Sequence, residues 1–416
     1  MEFILIVIYT SIYIGLFATS FYALSYMSGK KKTKPLFKDN ELPKVSIVIP
    51  VWNEEKSVAR TLETIFSSNY PSEKFEIILI DNNSTDKTMQ IARELKRTKY
   101  KELRIYNETK QGKGCALNCG IKKAKGEIVF SMDADTIVEP NCVKEMTRYF
   151  KNPEVMSVTP SMLIHKPKGI LQRIQQAEYL LGLFLRKAFS SINAIFITPG
   201  AFSAYRKSFF EKYGDYDESN ITEDLEMSLR IQYHKFAIEN STKSPVHTIA
   251  PNKFKPLLVQ RKRWYTGLMR NTWKYKKIIS PEYGDLGMFV VPIAWISIFF
   301  SVFIIIFMSI KTMIKIKAEL IFMNSINFQF TNPIEITRYS IERFFFSFFT
   351  NEIMVFILFF VIIIWTYLKF ANKNVGKTKG LHISVPLYFL LFSLLFSFWW
   401  LVSIFYVIFN KEVKWR

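Results

Sequence analysis

The sequence predicts an α/β domain built on a Rossmann-like, mostly parallel sheet with flanking helices, joined to about four transmembrane helices and to amphipathic interface helices. Three observations lead there. Between Pro43 and about Phe150, short apolar runs alternate with amphipathic stretches, the pattern of strands linked by helical crossovers. Apolar residues make up 49% and aromatics 16% of the 416 residues, and the excess gathers at the two ends of the chain. Acidic and amide residues follow directly on the strand-like runs, the rim where parallel sheets bind their ligands.

The middle of the chain reads element by element. Val45–Pro50 (VSIVIP) is a buried strand, and Glu55–Ser68 follows as a helix with Val58, Leu62, Ile65 and Phe66 on one face. Phe75–Asp81 (FEIILID) is a second strand, with a helix from Ser84 onward. Leu103–Tyr106 is a third strand, Lys113–Lys123 a helix, and Glu127–Met132 a fourth strand ending at Asp133. Right-handed crossovers between such elements give a parallel sheet.

The ends read as membrane helices. Phe3–Met27 carries no charge and exceeds the roughly 20 residues that cross a hydrocarbon core. Glu2 precedes it and Lys30–Lys34 is basic, which suits an uncleaved anchor with the following segment inside, rather than a signal peptide. Leu286–Ile310, Ile353–Leu368 and Val385–Phe409 are three further spans, and the basic stretch Lys369–Lys379 lies on the same inner side. Both termini then face outward, and Lys311 to Thr350 is an outside loop. Two amphipathic segments complete the plan. Gly169–Ser190 places Ile170, Ile174, Ala177, Leu181, Phe184 and Ala188 on one face, either packed in a core or laid on the membrane surface. Asn252–Lys277 has nine basic residues, no acid, and Trp264, Leu268 and Trp273 among them, which suits an anionic leaflet. The domains are therefore an anchor (1–28), an inner α/β domain (43–250), an interface segment (251–284) and a membrane region (285–416).

Net charge is +21. Basic loops beside spans account for part of it, and the absence of zinc-finger or RNA-recognition patterns argues against a nucleic-acid partner. Cys115, Cys119 and Cys142 match no zinc spacing and are expected as buried or free thiols on the reducing side. No charges stud the spans, as a transport pathway would require.

The polar residues that carry chemistry cluster at strand ends: Asn53 and Glu54 after the first strand, Asp81 closing the second, Asp133 and Asp135 after the fourth. Asp133-Ala134-Asp135 suits a hard divalent cation, since Mg²⁺ takes one or two carboxylates together with phosphate oxygens and water. Lys113, between Gly112 and Gly114 before a helix start, suits a diphosphate.

PVWNE at Pro50–Glu54, IDNNSTD at Ile80–Asp86, GKGCALN at Gly112–Asn118, MDADT at Met132–Thr136, ITEDLEMSLR at Ile221–Arg230 and QRKRW at Gln260–Trp264 stand in this order. Together they resemble the family-2 glycosyltransferases with the glycosyltransferase-A fold, in the membrane-integrated branch that includes cellulose, chitin, hyaluronan and poly-N-acetylglucosamine synthases and ceramide glucosyltransferase. The resemblance runs from about Val45 to Met269. It implies that Trp52, Asn53, Glu54 and Asp81 hold the nucleotide base, usually uracil. It implies further that Lys113 and Asp133 reach the ribose and diphosphate, and that Asp135, with Asp133, serves the Mg²⁺ or Mn²⁺. Asp224 in Thr222-Glu223-Asp224 is the implied catalytic base. Gln260, Arg263 and Trp264 are implied to close over the diphosphate and form the acceptor platform. Two positions depart from the pattern: Asn82-Asn83 stand where Asp-Gly is frequent, and Trp52 where Tyr is common.

The expected activity is inverting transfer from a UDP-sugar to a membrane-associated acceptor. That acceptor is either a growing β-linked polysaccharide or, by a single addition, a membrane lipid. Membrane lipids are expected as surroundings, and accessory export proteins are left open.

Overall fold

A computed structural model of the chain describes residues 2–29, 36–326, 337–375, 378–411 and 413. Its centre is one eight-stranded sheet in the order β3-β2-β1-β4-β7-β6-β8-β5. The strands are β1 (Val45–Val51), β2 (Phe75–Asp81), β3 (Arg104–Asn107), β4 (Ile128–Met132), β5 (Ile137–Val138), β6 (Val155–Ile164), β7 (Phe202–Arg206) and β8 (Ala237–Thr248). The first four fall within a residue of their expected ends. They form a parallel block in which β1 pairs with β2 and β4, and β2 with β3. β7 runs antiparallel to both β4 and β6, so the sheet as a whole is mixed.

The reason for the parallel block lies in its burial pattern. β1 is buried along almost its whole length, as a strand covered on both faces must be. Ile47, Ile49, Leu62 and Ile77 pack into one core, while Val48, Ile78 and Ile80 enter another with Leu117 and Ile121 of the Lys113–Lys123 helix. That helix lies close because Gly120 faces β1: a Cβ there would stand 2.2 Å from a methyl of Val48.

Among the described residues, four helices are long and apolar enough to cross a membrane: Phe3–Met27, Leu286–Ser325, Ile353–Lys373 and Leu381–Ile408. The second corrects the expected boundary. Its helix does not stop at Ile310 but continues through Lys311, Lys315 and Lys317 to Ser325, because no Gly or Pro interrupts it. The expected outside loop is thus largely helical, with a second helix at Arg338–Thr350. Residues 327–336 of that loop and the basic stretch at Lys30–Lys34 lie outside the described residues.

The helix Ile170–Ser191 decides between its two expected placements. It is a core helix, wedged between the sheet and the spans. Phe184 stacks on Tyr367 of the third span at 4.0 Å and contacts Tyr26 of the first at 5.2 Å. Gln176, a polar residue beside the apolar face, is buried; it accepts from Ser384 Oγ at 2.6 Å and donates to the Lys379 carbonyl at 3.2 Å. The connection between the third and fourth spans therefore touches the same helix as the sheet. The basic helix Phe254–Lys274 is also less superficial than expected. Trp273 is exposed, but Arg261 is buried and held by both oxygens of Glu178, at 2.8 and 2.7 Å.

The close approach at Gly120 yields a stability prediction. Gly120→Ala forces a methyl against the stiff, buried Val48, and overpacking of this kind costs about 1–3 kcal/mol. Thermal unfolding of the detergent-solubilised chain should show a lower midpoint than wild type.

Candidate active site

The site forms where β1 and β4 end and the Lys113–Lys123 and Glu223–Tyr233 helices begin. Gly112 takes a φ of 140°, which a side chain would resist, and delivers the chain into the first of these helices. Asn82 holds this turn from the end of β2: its Oδ1 accepts from Gly112 N–H at 2.7 Å, and its amide donates to the carbonyls of Glu108 and Lys110. The position that departs from the frequent Asp-Gly pattern therefore has a definite task.

Lys113 is the centre of the arrangement. Its Nζ lies 2.7 Å from Asp133 Oδ1 and 3.0 Å from Glu223 Oε1, with its side chain only 10% exposed. Burial by itself would lower its pKa, but the charges of Asp133, Glu223 and Asp224 outweigh that and raise it. Asp224 adjoins the same ammonium. The space between them is kept by Gly200, whose Cβ, if present, would stand 2.6 Å from Asp224 Oδ2 and 3.1 Å from Lys113 Nζ. Gly200 is placed by its neighbours: Ala201 accepts from Asp133 N–H at 2.9 Å, and Thr198 donates to the Asp224 carbonyl at 3.1 Å.

The Asp133–Asp135 turn is anchored by Thr61, whose hydroxyl donates to the carbonyl of Ala134 at 2.7 Å. Burial, then the charges of Asp133 and Glu54, push Asp135 up to about 6. Burial and the charge of Glu223 push Asp224 up to about 6, against the opposing pull of Lys113. Each folded carboxyl thus holds its proton more tightly than in an unfolded chain. Their ionisation makes the ligand-free fold less stable as pH rises from about 4 through 6, and more stable on the way down.

The other expected residues divide. Trp52, Glu54, Gln260, Arg263 and Trp264 line the same cavity as Lys113, Asp133, Asp135 and Asp224. Gln260 Oε1 is buried there without a hydrogen-bond partner, an acceptor aimed at an occupant. Asn53 and Asp81 do not line it. Asn53, at a φ of 56°, accepts from Thr85 N–H at 2.8 Å, and Asp81 accepts from Ser84 N–H at 3.1 Å. Both side chains fasten the turn after β2. Glu223, Gly200 and the Glu178–Arg261 pair escaped the sequence reading. Glu223 had a signal, its place beside Asp224; Gly200 and Glu178 had none, because their partners are remote in the chain.

The cavity has a volume of about 2130 Å³ and continues from this rim between the spans, past Gly15, Ile298, Phe360 and Ser397. Among the described residues, no group of three His, Cys, Asp or Glu is arranged to hold a metal. Two crowded carboxylates nevertheless fit a divalent cation whose other ligands are phosphate oxygens and water. The raised pKa of Asp135 reflects burial first and then the charges of Asp133 and Glu54, which such a cation would neutralise.

A half-parallel sheet with acids and a lysine converging at its rim, opening into a membrane-side cavity, defines a class of enzyme that handles an activated, phosphate-bearing donor next to a bilayer. Residues 46–214 match the model of glycosyl transferase family 2. Poly-beta-1,6-N-acetyl-D-glucosamine synthase of Staphylococcus epidermidis is 31% identical over 310 residues, covering 70% of this chain and 73% of that one. The Staphylococcus aureus (strain COL) synthase is 28% identical over 301 residues, covering 70% and 72%. Among solved structures, mannosyltransferase PcManGT from Pyrobaculum calidifontis, in complex with GDP-Man and Mn²⁺, has the same fold. It matches with a TM-score of 0.58 at 17% identity, over 98% of this chain and 100% of that one. The chain belongs to glycosyltransferase family 2 and is a glycosyltransferase.

Gly200 provides a test of the geometry. Gly200→Ala places a methyl between Asp224 and Lys113, so sugar transfer should fall at least about ten-fold, which is about 1.4 kcal/mol of barrier. The thermal midpoint of the same variant checks that the fold survives.

Proposed function

We propose that the chain transfers N-acetylglucosamine from UDP-N-acetylglucosamine, with inversion, to the end of a growing β-linked polysaccharide at the inner face of the plasma membrane. The observation that carries this is Lys113 bridging Asp133 and Glu223 beside Asp224. It gathers a diphosphate-binding cation and a candidate base at one end of the cavity. The identity to the staphylococcal synthases supports the choice of sugar and product. The basic stretches at Lys30–Lys34 and Lys369–Lys379 support an inner placement.

In this reading Trp52 and Glu54 receive the uracil, and Lys113 and Arg263 face the diphosphate. Asn53 and Asp81 act from outside the cavity, by fixing the turn after β2. Asp133 and Asp135 hold Mg²⁺ or Mn²⁺, which when bound neutralises charge on the diphosphate. Trp264 offers its ring to the acceptor sugar; the Arg261 guanidinium 4.4 Å over that ring fixes its plane. Asp224 takes the proton of the incoming hydroxyl as its oxygen attacks the anomeric carbon from the face opposite the leaving UDP. A positioned base contributes about 10²–10⁴-fold, and direct displacement converts an α-linked donor into a β-linked product.

One feature favours the second reading, single addition to a lipid: between the spans the cavity walls are largely apolar, aliphatic and aromatic together. Radiolabelled UDP-N-acetylglucosamine supplied to membranes separates the two. Product of growing size supports the polysaccharide, and a single labelled lipid replaces it.

Asp224→Asn should cut transfer by about 10²-fold or more while UDP affinity changes little; retained transfer removes Asp224 as the base. Asp135→Ala should abolish metal-dependent UDP binding measured by calorimetry. Because Asp224 and Asp135 sit near 6 in the ligand-free chain, both protonate as pH falls through that value. The acid limb of kcat/KM should therefore fall near pH 6, rather than near the ordinary carboxylate range of about 4.

A further inference from the structure

The helix Ile170–Ser191 turns one face to the cavity, and that face carries two arginine environments of opposite kind. Near its start, Glu178 closes around Arg261 with both oxygens. Two turns further on stands Arg186, which lines the same cavity and has no such partner. Among the described residues no carboxylate lies within 4.0 Å of its guanidinium, and its Nε is shut off from solvent with no hydrogen-bond acceptor. Burial lowers its pKa to about 10, a value at which it is still a full cation at neutral pH. The guanidinium folds back along its own helix over Gly182, where a Cβ would stand 3.6 Å from Nη1. A half-buried cation left without a counter-ion is costly, and a fold that gives Arg261 both oxygens of Glu178 leaves Arg186 open toward the cavity.

What Arg186 faces differs from what Lys113 faces. Tyr179, on the same cavity-lining face, feels the charge of Arg186 and, less strongly, that of Asp135. One turn past Arg186, Phe189 meets Tyr22 of the first span with ring centroids 5.0 Å apart. Arg186 thus stands between the acidic rim and the membrane helices, where the cavity passes to Ile12, Ile298 and Phe360. A planar fork of donors suits a phosphate oxygen pair, and the largely apolar walls beyond suit a hydrocarbon chain.

We propose that Arg186 is the seat of a phosphate group carried on an apolar chain: an anionic lipid whose headgroup meets the guanidinium and whose tail lies among the first, second and third spans. The site is distinct from that of the donor diphosphate and holds whether the sugar acceptor is a polymer or a lipid.

The test uses the full chain, delipidated in maltoside detergent, with short-chain phosphatidic acid as the probe and native mass spectrometry as the readout. Wild type should bind one phosphatidic acid per chain. Arg186→Gln should weaken that binding at least about ten-fold with UDP affinity unchanged, and Arg186→Lys should weaken it less. Arg186→Gln binding phosphatidic acid within three-fold of wild type overturns the proposal. Displacement by UDP assigns the phosphate to the donor site and overturns it too, and equal competition by inorganic phosphate removes the lipid from it. Should Arg186→Gln not fold, photolabelling of wild type by a phosphatidic acid with a diazirine on its acyl chain decides the matter. Label within the first to third spans supports the site, and label confined to other segments overturns it.

Discussion

The ammonium of Lys113 is the interaction on which the rest of the site depends. Asp133 arrives from the end of β4, Glu223 and Asp224 from the start of a helix ninety residues later, and Asp135 from the turn between. Left to themselves these carboxylates would repel one another or protonate. One buried cation within 3.0 Å of Asp133 and Glu223 lets them share a rim. Burial and the remaining negative charges still hold Asp135 and Asp224 near 6. The residual charge imbalance is what makes the site receptive to a metal and a phosphorylated donor.

Small residues and turn side chains set the distances around that lysine. Gly112 permits the entry to the Lys113 helix, Gly120 lets the helix settle on β1, and Gly200 leaves the gap beside Asp224. Gly267 extends the same logic to the basic helix: a Cβ there would stand 2.2 Å from Thr222 Oγ1, so the helix carrying Gln260, Arg263 and Trp264 lies directly on the segment that presents Asp224. Asn118 adds a tie from the other side, bonding Tyr216 through both ends of its amide.

The Ile170–Ser191 helix couples this site to the membrane. It packs on the sheet, meets Tyr26 and Tyr367 through Phe184, and receives the connection before the last span through Gln176. Its cavity face runs from the paired Glu178 to the unpaired Arg186, from the chemistry toward the bilayer. A position calculated only from apolar periodicity misses this, because polar Gln175 and Gln176 are as buried as Ala177. Their amides are hydrogen-bonded to Pro251 and Lys379, contacts made across 76 and 203 residues.

Much of the plan was legible in the residues alone. Apolar runs bounded by turn residues marked β1 to β4 because buried parallel strands tolerate little else, and uninterrupted apolar stretches marked the four spans because lipid leaves the backbone no alternative. The ordered acids and the Gln260–Trp264 motif marked the rim and the family, since their local spacing survives in the sequence. Other features needed the tertiary structure. The antiparallel insertion of β7, the helix running past Ile310, the turn-holding tasks of Asn53 and Asp81, and the pairing of Glu178 with Arg261 all rest on contacts between distant segments. Local pattern carries information about neighbours in the chain. Which charge is compensated and which is left open depends on neighbours in space.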